Sequence, residues 1–385
     1  MKKYLIVVVS WLLLGSGQLV KEASDNVWVL PCTELLENYQ DFPAKEWNEV
    51  VLGKGETEHL QVVLNTIPKE KITISSSIPE AFNVHYRMLT DIDGYKDALV
   101  PFVSTIQATG STSVVWLTFE TPRNSQPGTY EYTVSIKTLR NSINLKFKVR
   151  VADYEIPLTP SIPSEFCIDI DNLPDNGSDE QKELWNEFLL SRRIDPYYGK
   201  LIDRNTWRWD NCFSPWPWDD PRSRKLLQDK RFCRFALPCM LEDDELLRMC
   251  NDMEEKGYFD RCYFYIWDEP KTPEHYEQIA KESAHILSLK PNAKMLVPIS
   301  SFLVEGEHKW DYDYTFDFLT KYVKIFPIAA EQYNCENSGA EKFRKLVEPR
   351  AEWWTYVCCG PTGVQPNFLF AQTPFHNRAI MWRVW

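Results

Sequence analysis

Two adjacent carboxylates, Asp268 and Glu269, are the residues of this sequence best suited to acid–base chemistry. They follow the apolar run 262–267, which has the composition of a buried strand. Neighbouring residues of a regular strand point to opposite faces, so both carboxylates face one cavity only where the strand ends and the backbone turns. Such a pair can protonate a leaving oxygen and stabilise positive charge at the neighbouring carbon. The alternative is a plain helix start, because acidic residues favour the positive end of a helix dipole.

Aromatic and amide residues come at or near the ends of other predicted strands. The candidates for binding a substrate are Tyr197, Tyr333, Asn334, Trp354 and Tyr356. Carboxylates surrounded by such side chains are typical of sites that cleave glycosidic bonds. Burial beside Trp267 would raise the pKa of one carboxyl group, as a general acid at neutral pH requires. Glu331 is a third acid in this set and the alternative partner for a two-carboxylate mechanism.

The elements that carry these residues alternate between strand and helix along the range 165–385. The predicted strands are 166–170, 193–198, 232–238, 262–267, 294–299, 324–330 and 353–357. The predicted helices are 180–190, 222–230, 242–257, 274–289, 314–323, 340–349 and one that begins at 377. Seven such units predict an α/β domain, a TIM-like (β/α)₈ barrel that lacks its eighth strand. A doubly wound open sheet is the alternative, but the first strand–helix turns carry no glycine-rich phosphate loop.

The loop expected after the second strand is rich in tryptophan, proline and aspartate. Its tryptophans are Trp207, Trp209, Trp216 and Trp218. Aromatic rings in such a loop either stack on sugar rings at the mouth of the site or pack over the rim of the barrel.

The range 25–155 predicts a different domain, an all-β sandwich. Alternating residues in 130–137 and again in 143–151, with turn residues between them, predict a hairpin of two half-buried strands. Several further short β-branched runs precede it, and no credible helix interrupts them. The range 156–164 contains three regularly spaced prolines and is the predicted linker between the two domains.

The first 24 residues predict a cleaved secretory signal peptide. Lys2 and Lys3 precede a short apolar run that ends in small residues. The run is shorter than the roughly 20 apolar residues that a membrane anchor needs, so we expect no membrane association after cleavage. The predicted location is therefore secreted or periplasmic.

Charge and cysteine usage exclude several classes of partner. The chain has 43 basic and 55 acidic residues, a net charge of −12, and such an acidic surface would repel nucleic acid. Its ten cysteines show no zinc-binding spacing, so we predict no metal site, and no cofactor motif is present. Several cysteines lie in apolar runs, as buried thiols do, and one or two disulfides among four of them remain open. Those four are Cys212, Cys239, Cys250 and Cys335.

The run 263–270, Tyr-Phe-Tyr-Ile-Trp-Asp-Glu-Pro, resembles the catalytic motif of glycoside hydrolase family 123, the β-N-acetylgalactosaminidases. The resemblance extends to the sandwich, to 185–196, to 352–356 and to Asn377, Arg378 and Trp382, and so covers essentially the whole chain after the signal peptide. It implies an exo-acting, retaining and substrate-assisted mechanism on a glycan with a terminal 2-acetamido sugar. By the resemblance, Asp268 polarises the 2-acetamido group and Glu269 is the general acid/base.

The chain departs from this family after Trp382. Family members continue to an eighth strand that ends in a Gly-x-Leu-Tyr-Trp run, and nothing here matches that run. We therefore expect unpaired edges on the first and seventh strands, self-association through them, and little hexosaminidase activity. A catalytically inactive glycan-binding protein, or a truncated family member, is the alternative to an active enzyme.

Overall fold

The chain divides into two compact units, Met1–Ile156 and Pro157–Trp385. A computed structural model describes residues 27–33, 48–92, 95–140, 142–169, 177–203, 208–300, 317–334, 344–345, 347–369 and 372–384. The predicted signal peptide, residues 1–24, lies outside these ranges. Within them, every helix is too short or too polar to cross a membrane.

The first unit is a sandwich of two five-stranded sheets. Its strands are β1 (Val27–Pro31), β2 (Glu49–Lys54), β3 (Thr57–Asn65), β4 (Lys71–Ser77), β5 (Asn83–Ile92), β6 (Tyr95–Phe102), β7 (Thr105–Gln107), β8 (Thr112–Glu120), β9 (Gly128–Lys137) and β10 (Ser142–Glu155). The sheet orders are β1-β3-β8-β5-β6 and β2-β10-β9-β4-β7. Side chains from both sheets form one core, in which Phe82, Phe119 and Tyr132 are almost fully buried. The predicted hairpin is confirmed, since β9 and β10 pair antiparallel with Ile136 opposite Ile143.

The second unit contains both strands and helices. Its strands are β11 (Glu165–Asp169), β12 (Asp195–Asp203), β13 (Arg208–Cys212), β14 (Phe235–Leu237), β15 (Cys262–Tyr265), β16 (Met295–Leu296), β17 (Val323–Ala329) and β18 (Glu352–Tyr356). Its helices are α1 (Asp179–Ser191), α2 (Pro221–Gln228), α3 (Asp243–Glu255), α4 (Pro273–Leu289) and α5 (Pro374–Val384). Short 3₁₀ turns cover Phe259–Arg261 and Ala330–Asn334. Of the predicted helix 314–323, residues 317–319 are helical and 320–323 are not; of the predicted helix 340–349, residues 344, 345 and 347 are helical. Residues 314–316, 340–343 and 346 lie outside the described residues.

The strands of the second unit form two sheets, and within the described residues they do not close into a barrel. One is a five-stranded parallel sheet in the order β14-β15-β16-β17-β18, and the other has the order β11-β12-β13. The prediction of parallel strands with helices between them is therefore confirmed in part, and that of a TIM-like barrel is not.

Two features accompany the break between the two sheets, and neither was predicted. First, β13 pairs antiparallel with the second half of β12, in a range where a loop was expected. Second, at the first residue of β12, the buried Asp195 carboxylate accepts hydrogen bonds from the backbone N–H groups of Cys233 and Arg234, both at 2.9 Å. The Asp195 side chain thus connects the start of β12 to the start of β14. In a closed barrel, backbone hydrogen bonds between the two strands would form this connection.

The inner and outer faces of the parallel sheet carry different side chains. Tyr263 and Tyr265 pack on the inner face with Tyr197 and Trp354. The intervening Phe264 belongs to the outer core, which packs against the helices. This two-residue alternation is the strand period, and it directs the aromatic residues of β15 and β18 into one interior.

Other local expectations differ from the structure in detail. The predicted strand 294–299 is reduced to β16, and Ile299 forms only an isolated bridge to Ile328. Trp216 and Trp218 are buried and pack with the rest of the unit, so they are not sugar-stacking platforms, while Trp207 lies outside the described residues. Among the nine described cysteines no two form a disulfide, so the pairings considered among Cys212, Cys239 and Cys250 do not occur, and Cys335 is not described.

Candidate active site

The backbone turns at the Asp268–Glu269 pair, immediately after β15. Glu269 has a φ of 45°, in the left-handed region that few residues other than glycine adopt. This turn allows both carboxylates to point toward the inner face, because the alternation of the strand ends there. A non-glycine residue held in this region is strained, and such strain clusters at functional sites.

Asp268 is held by two aromatic hydrogen-bond donors. The Tyr265 hydroxyl donates to Asp268 Oδ1 at 2.8 Å, and the Trp209 side chain donates a second hydrogen bond. Burial raises the pKa of Asp268 above its ordinary value, and the nearby Glu269 carboxylate raises it further. The two hydrogen bonds and the charge of Lys271 act in the opposite direction, because they favour the ionised form.

Glu269 is held by a tyrosine from the far edge of the sheet. The hydroxyl of Tyr356, the last residue of β18, donates a hydrogen bond to Glu269 Oε1. Burial raises the pKa of Tyr356 well above its usual range, and this hydrogen bond and the carboxylates of Asp268 and Glu331 add to the effect. Tyr356 therefore stays protonated and remains a hydrogen-bond donor at neutral pH.

The β12–β13 hairpin forms one side of the site. The Tyr197 ring lies 6.0 Å from the ring of Tyr265, and its hydroxyl donates to Asn211 Oδ1. Gly199 permits this close packing, since a Cβ there would lie 3.1 Å from Asn211 Oδ1 and 3.2 Å from Cys167 Sγ. The hairpin thus positions Trp209 against Asp268 from the side opposite to β18.

Trp354 lies two residues before Tyr356 on the same face of β18, and so deeper in the interior. Its ring meets Tyr263 edge-on at 5.6 Å, and its Nε1 donates to Glu352 Oε2 at 3.1 Å. Trp354 therefore contributes to the floor beneath the carboxylate pair.

A second group of acids lies at the starts of the strands, below this floor. The Tyr263 hydroxyl donates to Glu165 Oε2, while Glu165 Oε1 is buried without a hydrogen-bond partner. Burial raises the pKa of Glu165 to about 8 and that of Asp195 to about 6. Glu165 is thus neutral over most of the physiological range, which lowers the cost of enclosing it.

Tyr333 and Asn334 are placed differently from the other predicted substrate-binding residues. The Tyr333 hydroxyl accepts a hydrogen bond from Trp353 Nε1 and lies 3.0 Å from Thr355 Oγ1. Trp353 packs with the outer core, so Tyr333 lies on the face of β18 opposite to Tyr356. Asn334 ends the 3₁₀ turn after β17, and its side chain is outside the described set.

Glu331 is the second residue of the 3₁₀ turn after β17 and lies near Tyr356. Its charge is one of those that raise the pKa of the Tyr356 hydroxyl. On its other side it touches the loop after β18, since a Cβ added to Gly360 would overlap Glu331 Oε2. Glu331 therefore belongs to the rim of the same site.

Sequence reasoning missed the residues that hold Asp268. Tyr265 could have been found from the period-two pattern of β15, which places it on the same face as Tyr263. Trp209 was expected only as one of the loop tryptophans at the mouth or rim, and Asn211 carried no signal, because nothing local predicts that β13 returns beside β12. Trp267 packs in the outer core, with its ring 4.9 Å from His275, so it is not the residue that buries the carboxylate. Among the described residues, no group of three or more metal-ligating side chains could hold an ion.

No protein-family model matches the chain, and no curated protein matches it either. Among solved structures, it is similar to a family 123 glycoside hydrolase from Clostridium perfringens that hydrolyses glycolipid glycans. The TM-score is 0.53 at 14% identity, over 93% of this chain and 76% of that chain. A second solved structure is WR4, an MSP family member from C. elegans. The match covers 28% of this chain and 94% of WR4, with a TM-score of 0.20 and 7% identity. This chain therefore has a fold similar to that of a family 123 glycoside hydrolase.

Proposed function

We propose that this chain is an exo-β-N-acetylgalactosaminidase that acts with retention of configuration on glycans with a terminal 2-acetamido sugar. The observation that carries the proposal is the carboxylate pair at the end of β15, in which each acid is held by a tyrosine of the inner face. When an acetamido group assists cleavage, negative charge develops on the leaving oxygen and positive charge on the acetamido group. Two adjacent acids that point into the same cavity can each stabilise one of these charges.

In the first step, the acetamido oxygen of the substrate attacks the anomeric carbon while the bond to the leaving oxygen breaks. Glu269 donates a proton to that leaving oxygen, and Asp268 accepts a hydrogen bond from the acetamido N–H as positive charge develops there. In the second step, Glu269 takes a proton from water, which attacks the anomeric carbon and restores the acetamido group. Both steps invert the anomeric carbon, so the configuration is retained overall.

The surroundings of the pair support this assignment of roles. Tyr265 and Trp209 donate to Asp268, which favours its carboxylate form and leaves it an acceptor for the N–H of the substrate. Tyr197 and Trp354 add aromatic surface to the interior, on which the apolar face of a sugar ring can pack.

The test is to measure turnover of an aryl 2-acetamido galactoside by the Glu269→Gln and Asp268→Asn variants. Asp268→Asn removes a charge and Glu269→Gln removes a transferable proton, each at nearly constant volume, so we expect turnover to fall by about 10²–10⁴-fold while the fold is retained. Asp244→Asn, in the exposed first turn of α3, is the matched control and should keep full activity. Near-normal turnover in either dyad variant would remove that residue from the mechanism.

A two-carboxylate glycosidase that uses Glu331 is the second candidate. It is favoured by the position of Tyr356, whose hydroxyl bonds Glu269 while its pKa responds to the charge of Glu331. An aryl galactoside with a 2-hydroxyl group distinguishes the two, because it lacks the internal nucleophile. Efficient cleavage of this analogue, lost in Glu331→Gln, would favour the second candidate.

A glycan-binding protein without activity is the remaining alternative. Isothermal titration calorimetry with N-acetylgalactosamine separates it from an enzyme. Binding without turnover, unaffected by Glu269→Gln, would identify a binding protein and contradict the proposed reaction.

A further inference from the structure

Two adjacent cysteines, Cys358 and Cys359, lie on the loop that follows β18. Both thiols are exposed, whereas Cys250 and Cys262 are buried in the outer core. Burial raises the pKa of the Cys358 thiol, and the neighbouring Cys359 side chain raises it further. The loop therefore presents two neighbouring, accessible thiols.

The backbone of this loop is held in place from inside. The Cys358 N–H donates to the Gly360 carbonyl at 3.0 Å. Asn367, which is almost fully buried, donates to the carbonyls of Cys358 at 3.0 Å and Pro361 at 2.9 Å. The loop is thus anchored through its carbonyls while its thiols face outward.

The same loop touches the candidate site on two sides. Cys358 lies two residues after Tyr356, and the charge of Glu269 acts on its thiol. Gly360 packs so closely on Glu331 that a Cβ would overlap its carboxylate. A change in the backbone at 358–359 is therefore transmitted toward both acids.

We propose that Cys358 and Cys359 form a reversible disulfide with each other, and that this bond adjusts the activity of the site. The first part stands on the geometry of the loop, and only the second part rests on the proposed function. The ligand class is a low-molecular-weight disulfide, such as oxidised glutathione, which acts as the oxidant.

The reaction balances as two thiol–disulfide exchanges. The Cys359 thiol loses its proton, and the thiolate attacks one sulfur of the oxidant and releases one small thiolate. The Cys358 thiol then loses its proton and attacks the Cys359 sulfur, which releases the second small thiolate. Both released thiolates take up a proton, so the two protein thiols are oxidised and the small disulfide is reduced.

Strain makes this bond easy to reverse. Consecutive Cα atoms are about 3.8 Å apart across a trans peptide, whereas disulfides usually join Cα atoms roughly 4.4–6.8 Å apart. A disulfide between neighbours therefore distorts the peptide between them, and strained or exposed disulfides are the labile, regulatory ones.

The chemical test uses the full chain equilibrated in glutathione buffers of increasing oxidised fraction. Free thiols are then alkylated, and the tryptic peptide 351–378, which contains no other cysteine, is weighed by mass spectrometry. We expect this peptide to lose two hydrogen atoms and to regain them with dithiothreitol. Cys358→Ser and Cys359→Ser should each take up one glutathione instead. Two alkylated thiols, or two glutathione adducts, at the most oxidising ratio would overturn the proposal.

The functional test measures kcat on the aryl 2-acetamido galactoside in both redox states. A displacement of about 1 Å at an active site costs on the order of 10²-fold in rate, so we expect oxidation to lower kcat by about tenfold or more. Cys32→Ser, in the sandwich, should respond as the wild type does, and the two loop variants should not. An oxidised peptide with unchanged kcat would overturn the regulatory part. With no turnover in either state the proposed function fails, and the peptide mass alone then decides the disulfide.

Discussion

Replacing Tyr265 by Phe tests the role of Asp268 most directly. The change removes the hydroxyl that donates to Asp268 Oδ1 at 2.8 Å and leaves the ring, which packs near Tyr197 on the inner face. A hydrogen bond to a charged group contributes about 1.5–3 kcal/mol, and one pKa unit corresponds to about 1.4 kcal/mol. Because Trp209 still donates to Asp268, we expect the pKa of Asp268 to rise by about one unit.

The sign of the effect follows from the form that the reaction needs. Burial already holds the pKa of Asp268 above its ordinary value, and the Tyr265 hydrogen bond opposes that shift. Asp268 acts as a carboxylate in the proposed mechanism, so kcat/KM falls as the pH drops through its pKa. In Tyr265→Phe this acidic limb should move to higher pH, by about one unit. A profile of kcat/KM against pH measures it, because kcat/KM reports the groups of the free enzyme.

Tyr197→Phe is the matched control. Its hydroxyl donates to Asn211 and not to Asp268, so its acidic limb should stay where the wild-type limb is. Thermal unfolding checks that both variants remain folded. If Tyr265→Phe lowers the rate at every pH without moving the limb, Asp268 is not the group that titrates, and the reasoning is wrong.

Three further predictions concern stability and association. Burial raises the pKa of Glu165 to about 8, so the folded state holds this proton after the unfolded chain has lost it. The free energy of unfolding should then fall by up to ~1.4 kcal/mol per pH unit as the pH rises from about 5 to 8. Unfolding of Glu165→Gln, measured at several pH values, should show a weaker dependence of this free energy on pH. An unchanged dependence in the variant would contradict the assignment. In Gly360→Ala the new methyl must displace the Glu331 carboxylate, which is the end of a flexible side chain, so we expect a loss of no more than about 1 kcal/mol by thermal unfolding. Gly110→Ala, where the nearest atom is 3.7 Å away, is the control, and a larger loss there than in Gly360→Ala would count against the close packing. Finally, β11 and β18 each end a sheet among the described strands, so light scattering should detect self-association of residues 25–385, and a monodisperse monomer would refute it.

Local patterns predicted much of the second unit because each depends only on near neighbours. The predicted helix 274–289 begins after Thr272, whose hydroxyl accepts from the His275 N–H as expected for an N-cap, and the helix is α4. The strand 262–267 is β15, shortened by two residues, and the acidic pair follows it as predicted. Spacing and side-chain type suffice for such features, since a helix cap or a strand face is completed within a few residues.

Closure of the sheet was not predictable in this way. Whether β12 pairs with β14 or with a returning β13 depends on contacts between residues far apart in the chain. The Asp195 carboxylate that caps the start of β14 lies 38 positions before its partner Cys233. Single-strand periodicity is the same in a closed barrel and in two adjoining sheets, so the sequence favoured the barrel on the count of units alone.

In the candidate site, too, the sequence predicted the local features and the tertiary structure determined the long-range contacts. The amino-acid sequence alone predicted that Asp268 and Glu269 follow an apolar strand, because an apolar run followed by two acids indicates this in any fold. Their partners depend on the tertiary structure: Glu269 receives its hydrogen bond from Tyr356, 87 positions away, and Asp268 receives one from Trp209 on the unpredicted hairpin. Tyr333 was expected beside them, yet its hydroxyl accepts a hydrogen bond from Trp353. The pleat of β18 directs Trp353 to the face opposite to Tyr356, so Tyr333 lies on that face too. Strand neighbours are chosen by long-range packing, and only that choice decides which tyrosine reaches which acid.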